Sequence, residues 1–323
     1  MNNWAVSIAS GPNQQPLIDI AKQKGYKIIG IDRSQNCQNL DDLIQLSTFD
    51  TNAVLTRISD WKYVDRICGI IARVSGPAVI TAAAIAENLN LPTFGLEVAK
   101  MSLSKSYLRK RAILLKIPTI SGQLCQKPPK NISKGTYVIK PNQPIVGKKH
   151  VYKVSHEANF VNLFEKAKSE SIDSAVEFQK FEEGKDIGVC CAFFKGQLIW
   201  HIFYEELVKE MDGKFFGIGV SAPYTLGAMN DLAISYIKKI ISGSNVTGFI
   251  FFSFKLLPNF ELKIYEINPG LCGDGIVDRL FADVFHGHNF YENDVDLAMG
   301  ILPKFPSTSN IRIHTISNNP VPK

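Results

Sequence analysis

The chain has 323 residues, of which 45% are hydrophobic and 20% are charged, and its net charge is +6. This composition excludes an intrinsically disordered chain, because the apolar side chains suffice to bury a large core. Lys and Arg occur as scattered pairs such as Lys148-Lys149, without a long basic stripe, so we expect no nucleic-acid partner. Gly, Asn and Pro interrupt every apolar run before the roughly 18 residues that a membrane span needs, so we expect no membrane partner.

The cysteine pattern and the N-terminal residues bear on the compartment. None of the cysteines forms a C-x-x-C motif, and their spacing is irregular; they are Cys37, Cys68, Cys125, Cys190, Cys191 and Cys272. A zinc site or a disulfide framework is therefore not expected. The N-terminal residues show no basic region and no cleavage site, which argues against secretion. We expect reduced thiols and a cytoplasmic protein.

The first ninety-odd residues alternate between strand and helix patterns. Apolar runs that indicate strands are separated by stretches with helical spacing, and turn residues stand between them. The strands are expected at 4–9, 26–31 and 69–74, and the helices at 15–24 and 78–89. Strands that alternate with helices predict a parallel α/β sheet.

The pattern changes after Pro92. One helix is expected at 98–116 and a second at 231–241. Between and after them lie short strand patterns joined by turns, at 137–140, 151–154, 175–181, 187–194, 197–203, 249–257 and 261–267. Neighbouring strands with short connections pair antiparallel, so this part is predicted to be α+β.

The last predicted hairpin carries a candidate metal site. Glu266 and Asn268 stand two residues apart on a strand, so their side chains leave the same face. A carboxylate and an amide oxygen side by side are ligands that Mg²⁺ prefers, with phosphate oxygens and water completing its coordination. Without further support, a solvated strand end followed by a turn at Pro269 is the simpler interpretation.

Three further segments carry groups that suit a nucleoside triphosphate. Lys105, on a helix, and Lys140, at a strand end before Pro141, are two cations on separate elements that can hold phosphates. The turn 143–150 contains Gly147 and Lys149 and can fold over phosphates, although one glycine is a weak signal. The segment 179–186 reads Gln-Lys-Phe-Glu-Glu-Gly-Lys-Asp; as an extended edge it offers backbone groups to adenine, and its last acid can hold ribose hydroxyls.

Read in order, these segments resemble the ATP-grasp superfamily of carboxylate–amine ligases, especially its carbamoyl-phosphate-synthase-like and phosphoribosylaminoimidazole-carboxylase-ATPase-like members. The likeness covers nearly the whole chain. The segments similar to family motifs are 105–109 to the phosphate-lysine helix, 138–141 to the second lysine strand, 147–151 to the flexible loop, 179–186 to the adenine hinge and 266–269 to the metal motif.

The resemblance implies a fold and a division of the chain. It implies an α/β N-terminal Rossmann-like pre-ATP-grasp domain at 1–96, followed by an α+β ATP-grasp fold at 97–305 and a tail at 306–323. A small lid subdomain is expected at about 120–185. The tail is expected to cover the surface or to fray.

The resemblance also implies ligands and residue roles. The cofactors would be ATP and Mg²⁺, with Mn²⁺ as a substitute, and the metal ligands would be Glu266 and Asn268. The residues expected to bind ATP are Lys105, Lys140, Gly147, Lys149, Gln179, Lys180, Phe181, Glu182 and Asp186. The substrates would be a small-molecule carboxylate and an amine, and a homodimer is the default oligomeric state.

The chain departs from the family pattern where catalysis is concerned. A second metal-binding acid is expected on the partner strand, and counting without a gap from Gly248 places Ser253 there. Gly270 replaces an arginine that follows the metal motif, and His150 replaces a glycine of the flexible loop. Arg279 is the candidate to replace that arginine in catalysis together with Lys140. Glu261 or Asp274 is the candidate to replace the lost acid.

Two functional interpretations remain open on the sequence. In the first, the protein is a ligase that forms an amide or peptide-like bond through an acyl phosphate. In the second, it is a degenerate ATP-grasp protein that binds a nucleotide or metabolite as a sensor or scaffold. Dinucleotide binding is not favoured, because Pro12 and Asn13 stand where a G-x-G-x-x-G motif needs glycine. His201, and the pair His286 and His288, are expected to be ordinary core, rim or loop residues.

Overall fold

The computed structural model describes residues 3–130, 132–145, 150–155, 159–271, 275–309 and 311–317. The first sheet has four strands in the order β3-β2-β1-β4, and every pair in it is parallel. Its strands are β1 (Trp4–Ile8), β2 (Lys27–Asp32), β3 (Asp42–Gln45) and β4 (Ile67–Ile71). The helices around it are α1 (Gln15–Gln23), α2 (Thr51–Ser59) and α3 (Pro77–Asn88). The predicted parallel arrangement is confirmed; β3 and α2 were not predicted.

The helical stretch predicted at 98–116 is two helices, α4 (Leu96–Leu103) and α5 (Lys105–Leu114). The break lies at Ser104, whose backbone is extended at φ −113° and ψ 111°. Its side chain accepts a hydrogen bond from the Tyr107 N–H and so caps α5. The single helix was therefore wrong, and the correction places Lys105 at the first turn of α5.

The second sheet has ten strands. In the order β13-β12-β9-β10-β11-β7-β6-β8-β5 all pairs are antiparallel, and β14 also pairs with β11. The strands are β5 (Gly122–Cys125), β6 (Thr136–Pro141), β7 (Tyr152–Ser155), β8 (Val176–Lys180), β9 (Lys185–Phe194), β10 (Gln197–Met211), β11 (Lys214–Ala222), β12 (Gly248–Leu256), β13 (Leu262–Pro269) and β14 (His314–Ser317). The predicted run of antiparallel strands is confirmed.

The two faces of this sheet pack against different cores. Cys190 and Cys191, adjacent on β9, lie in two separate hydrophobic clusters, as strand alternation requires. The cluster of Cys191 reaches α7 (Asn230–Ile240), and the cluster of Cys190 reaches a π-helix (Ile276–Phe281), which runs into α8 (Ala282–Val284), and α9 (Phe290–Ala298). Helix α6 (Phe160–Ser169) packs on β6, β7 and β8.

The C-terminal segment contributes a strand. Residues Gly219 to Ala222 of β11 pair with His314 to Ser317. The segment expected to cover the surface or fray thus extends the sheet in the part that the structure describes. Among the described residues, no helix is long and apolar enough to cross a membrane. The domain boundaries at 96, 305 and about 120–185 remain predictions.

Candidate functional site

The hairpin of β12 and β13 presents the predicted oxygen ligands. Ser253 is the cross-strand partner of Glu266, which confirms the register that the gap-free count predicts. Glu266 is half-buried and Asn268 is exposed, while Ile267 between them points into the core. Within the described part of the chain, neither side chain makes a hydrogen bond or an ion pair. Their oxygen atoms are therefore accessible for a metal ion.

Glu266 and Asn268 can supply two ligands to one hard cation, but they do not form a metal site from protein ligands alone. No group of three or more His, Cys, Asp or Glu side chains that could hold a metal occurs among the described residues. Mg²⁺ bound to a nucleotide takes most of its ligands from phosphate oxygens and water, so one carboxylate and one amide suffice. Glu266 and Asn268 thus fit a metal ion that arrives with phosphates.

The two predicted phosphate lysines lie in one electrostatic cluster with Glu266. Lys140, on β6, is only 7% exposed, and burial lowers its pKa to about 8, with the neighbouring charge of Lys105 acting in the same direction. Burial also lowers the pKa of Lys105, while the charges of Glu266 and Glu177 oppose the shift. Three separate segments therefore bring two desolvated lysine amines together with Glu266, and anionic phosphates would restore the lost solvation of these cations.

A buried ion pair next to these lysines was missed by the sequence interpretation. Glu177 of β8 is fully buried and is the cross-strand partner of Lys140. Arg109 of α5 donates to both of its carboxylate oxygens, at 2.5 and 3.4 Å. The signal was an acid between two apolar residues, Val176 and Phe178, in a predicted strand, because a buried carboxylate needs a partner. This bidentate pair fixes α5, and with it Lys105, against the strand that carries Glu177.

A second contact ties α5 to the end of β6. The side-chain oxygen of Asn142 accepts a hydrogen bond from the Ser106 N–H at 2.9 Å, and the Lys105 N–H donates to the Asn142 carbonyl at 3.2 Å. The Asn142 amide in turn donates to Asp173 at 2.5 Å. The backbone at Lys105 is thereby held beside the end of the strand that carries Lys140.

The predicted adenine hinge is less open than expected. Gln179 and Lys180 belong to β8, which pairs with β5 on one side and β6 on the other. The Lys180 N–H donates to Ser121 at 3.0 Å, and the Phe181 N–H donates to Thr136 at 2.9 Å. The expectation of an extended edge is wrong for these N–H groups, because strand pairing occupies them. The N–H groups of Lys180 and Phe181 are therefore not available to adenine.

The acids of the hinge are tied to the β12–β13 hairpin. Glu182 pairs with Lys263 at 2.9 Å, and its other carboxylate oxygen is buried without a hydrogen-bond partner in the described chain. Asp186 pairs with Lys255 at 2.6 Å and accepts from the Tyr265 hydroxyl at 3.1 Å. The residue predicted to hold ribose hydroxyls is thus already engaged, whereas Glu182 retains an acceptor.

The packing around position 270 explains why a glycine stands there. Its φ is +80°, and an added Cβ would stand 2.8 Å from the carbonyl oxygen of Ala72 at the end of the first sheet. A side chain is excluded at this position, because the backbone itself would have to move. The arginine of the family motif therefore cannot be accommodated here while the two sheets meet in this way.

Other candidates lie away from this cluster or outside the described residues. Gly147, Lys149 and Asp274 are not among the described residues. Arg279 is exposed on the π-helix, which packs against β11 and β14, and its catalytic role stays a prediction. Burial lowers the pKa of the half-buried His201.

A separate cavity of about 360 Å³ lies at the carboxyl ends of the first sheet's strands. Six of the residues that line it are Gly11, Asn13, Asp32, Phe49, Arg73 and Ser75. The Arg73 side chain is 8% exposed and pairs with Asp278 of the π-helix at 2.8 Å. Crevices at the carboxyl ends of parallel strands are the usual ligand sites of open α/β sheets.

Comparison with protein-family models and with curated proteins finds no match. Solved structures do match. An N5-carboxyaminoimidazole ribonucleotide synthetase in complex with ADP has a TM-score of 0.75 at 14% identity, over 98% of this chain and 82% of that one. An L-amino acid ligase from Bacillus licheniformis has a TM-score of 0.73 at 18% identity, over 93% and 75%. A phosphoribosylglycinamide synthetase from Anaerococcus prevotii has a TM-score of 0.68 at 14% identity, over 94% and 76%. The chain therefore has the fold of these enzymes, the ATP-grasp fold that its motifs resemble.

Proposed function

We propose that the protein is an ATP-dependent carboxylate–amine ligase that forms an amide or peptide-like bond and releases ADP and phosphate. The observation that carries this proposal is the convergence of Lys105, Lys140 and Glu266, from three distant segments, into one cluster. Two desolvated lysines beside an unpaired carboxylate and an amide suit a polyphosphate that brings its own Mg²⁺.

In this proposal the γ-phosphoryl group of ATP passes to a substrate carboxylate oxygen, which gives an acyl phosphate and ADP. The amine nitrogen then attacks the acyl carbon, the bond to the phosphate oxygen breaks, and the amine loses a proton. Lys105 and Lys140 hold the phosphates and stabilise the charge that develops on them. Mg²⁺, when bound at Glu266 and Asn268, would neutralise phosphate charge and align the transferring group.

The nucleoside would lie against the hinge. The buried, unpartnered oxygen of Glu182 can accept a hydrogen bond from a ribose hydroxyl or a base amine. Asp186 would contribute only if its contacts with Lys255 and Tyr265 rearranged. We therefore propose Glu182 ahead of Asp186 as the acidic residue that binds the nucleoside, with Gln179, Lys180 and Phe181 shaping the hinge.

One substrate would occupy the cavity at the first sheet. Asp32 lines this cavity together with Arg73, whose guanidinium is already paired with Asp278, and such polar and charged groups suit a small polar molecule such as an amino acid. An L-amino acid ligase is among the structures with the same fold, which supports amino acids as the first substrates to test.

The test is phosphate release from ATP and Mg²⁺ in the presence of pooled amino acids, followed by single acid–amine pairs. We expect release that depends on both substrates, and mass spectrometry should detect the amide product. The matched control is Glu266→Gln, which keeps the size of the side chain and removes its charge. Nucleotide binding without turnover across a wide panel would instead support the sensor or scaffold interpretation, which Ser253 opposite Glu266 favours.

A further inference from the structure

The β12 strand carries a lysine on the same face as Ser253. Phe252 and Phe254 point into one core and are fully buried, so the residues that alternate with them, Ser253 and Lys255, leave the opposite face. Ser253 is paired with Glu266, and Lys255 is paired with Lys263 two residue pairs further along the hairpin, past a register shift. The strand that lacks the expected acid therefore places a cation beside the position of that acid.

Contacts place this lysine beside the cluster of Lys105, Lys140 and Glu266. The Lys255 amine pairs with Asp186 at 2.6 Å, and Asp186 also accepts from the Tyr265 hydroxyl. The Lys140 amine lies 5.8 Å from the centre of the Tyr265 ring. Lys255 is also among the charges that lower the pKa of Lys140. Lys255 is thus connected to Tyr265 through Asp186, and Lys140 lies over the ring of the same tyrosine.

The charges at positions 253 and 255 can be compared with those of a site that has the second acid and its metal ion. A carboxylate at position 253 with its own divalent ion would add −1 and +2, a net charge of +1. A neutral serine at 253 with a lysine at 255 also adds +1. The electrostatic attraction for a bound polyphosphate is therefore preserved although one ligand is lost. Asp186 holds the lysine in position and is present in both counts.

We propose that this protein binds its nucleoside triphosphate with a single divalent ion, held by Glu266 and Asn268, and that Lys255 supplies the positive charge of a second ion. This inference rests on the proposed function, since it assumes that the cluster binds a nucleotide. Lys255 is then a phosphate-positioning residue, which the family pattern does not assign.

The experiment counts ions directly. Mn²⁺ is titrated into the protein with a saturating non-hydrolysable ATP analogue, and free Mn²⁺ is measured by electron paramagnetic resonance. We expect one Mn²⁺ per bound nucleotide in the native protein. Lys255→Met should weaken analogue binding about tenfold, because one cation beside the phosphates is lost. The double variant Ser253→Glu with Lys255→Met should bind two Mn²⁺ ions.

Matched controls separate a local effect from a folding defect. Lys22→Met removes another half-buried lysine, which pairs with Asp41 at 2.7 Å in the first sheet region, and should leave analogue affinity and ion count unchanged. Thermal melting checks that each variant is folded.

The possible outcomes are distinct. Two ions in the native protein, or a Lys255→Met variant with unchanged affinity, would overturn this inference and leave the proposed function standing. A native protein that binds no nucleotide would overturn both.

Discussion

The first sheet and the β12–β13 hairpin use their side chains in different ways. All five residues of β1 are buried, since helices cover both faces of a parallel sheet. Along β13 buried and accessible residues alternate over most of the strand, and the accessible ones include Glu266 and Asn268. The strands of the first sheet thus contribute packing, and only their carboxyl ends reach the cavity that Asp32 and Arg73 line, whereas the hairpin combines a core face with a charged face. Chemistry at the second sheet therefore depends on a few charges whose loss has little effect on the core.

The Arg109–Glu177 pair differs from the other charges near the second sheet, because this ion pair is buried and stabilises the fold. Arg109→Met leaves the fully buried Glu177 without its hydrogen-bonded cation, although Lys140 remains across the strand. We expect the free energy of unfolding to fall by about 3 kcal/mol, the low end for breaking a buried ion pair, because the remaining lysine offsets part of the charge. Urea denaturation measures the change. In the double variant with Glu177→Met most of the loss should be recovered; no recovery would mean that packing by the arginine stem, and not its charge, is what matters.

The charged face of the hairpin should show the opposite behaviour. Glu266→Gln is expected to reduce turnover about 100- to 1,000-fold, since a charge that binds metal and faces the transferring phosphate is removed. The free energy of unfolding should fall less than for Arg109→Met, because Glu266 makes no direct ion pair among the described residues and its charge only offsets part of the desolvation of Lys105 and Lys140. Phosphate release and urea denaturation measure the two effects.

Glu261→Gln is the matched control, on the same hairpin but at its exposed turn, where the carboxylate lies 3.5 Å from Lys263. It should retain activity. A comparable loss of turnover in this variant would show that Glu261 has replaced the missing metal-binding acid.

The pKa of Lys140 predicts opposite pH dependences for binding and stability. Because this pKa is lowered to about 8, the free protein loses the Lys140 proton above that pH. Phosphates favour the charged amine, so nucleotide affinity should be flat below pH 8 and fall up to about tenfold per unit above it. Lys105, whose pKa is also lowered, acts in the same direction.

Stability should change with the opposite sign. The unfolded chain keeps a lysine proton up to its ordinary pKa of 10.5, whereas the folded chain releases it near 8. The unfolded state therefore binds more protons between these values, and the free energy of unfolding should rise with pH there. Lys140→Arg, which stays charged, should reduce both effects to the part that Lys105 contributes. A nucleotide affinity that is insensitive to pH up to 10 would contradict the position of Lys140 in the site.

Sequence patterns predicted the parts of the structure that depend on local periodicity. The parallel and antiparallel arrangements follow from strand spacing, and the Ser253–Glu266 register follows from a count along one hairpin. Features decided by one residue or by distant partners were missed. The helix break depends on the cap at Ser104, and the exclusion of a side chain at Gly270 depends on a carbonyl of the other sheet.

The smallest effect should come from the first sheet, where a substitution can change packing without changing any charge. Ile29 on β2 is fully buried and belongs to the main core. Ile29→Val removes one methyl group and should lower the free energy of unfolding by about 0.5–1.5 kcal/mol, from lost burial and a small cavity. Nucleotide affinity and turnover should remain within twofold of the native values, since Ile29 contributes no charge or polar group to the site. Urea denaturation together with phosphate release tests this division. If turnover fell with so small a packing change, the two sheets would be coupled through their junction, and the core of the first sheet could not be treated as separate from the site.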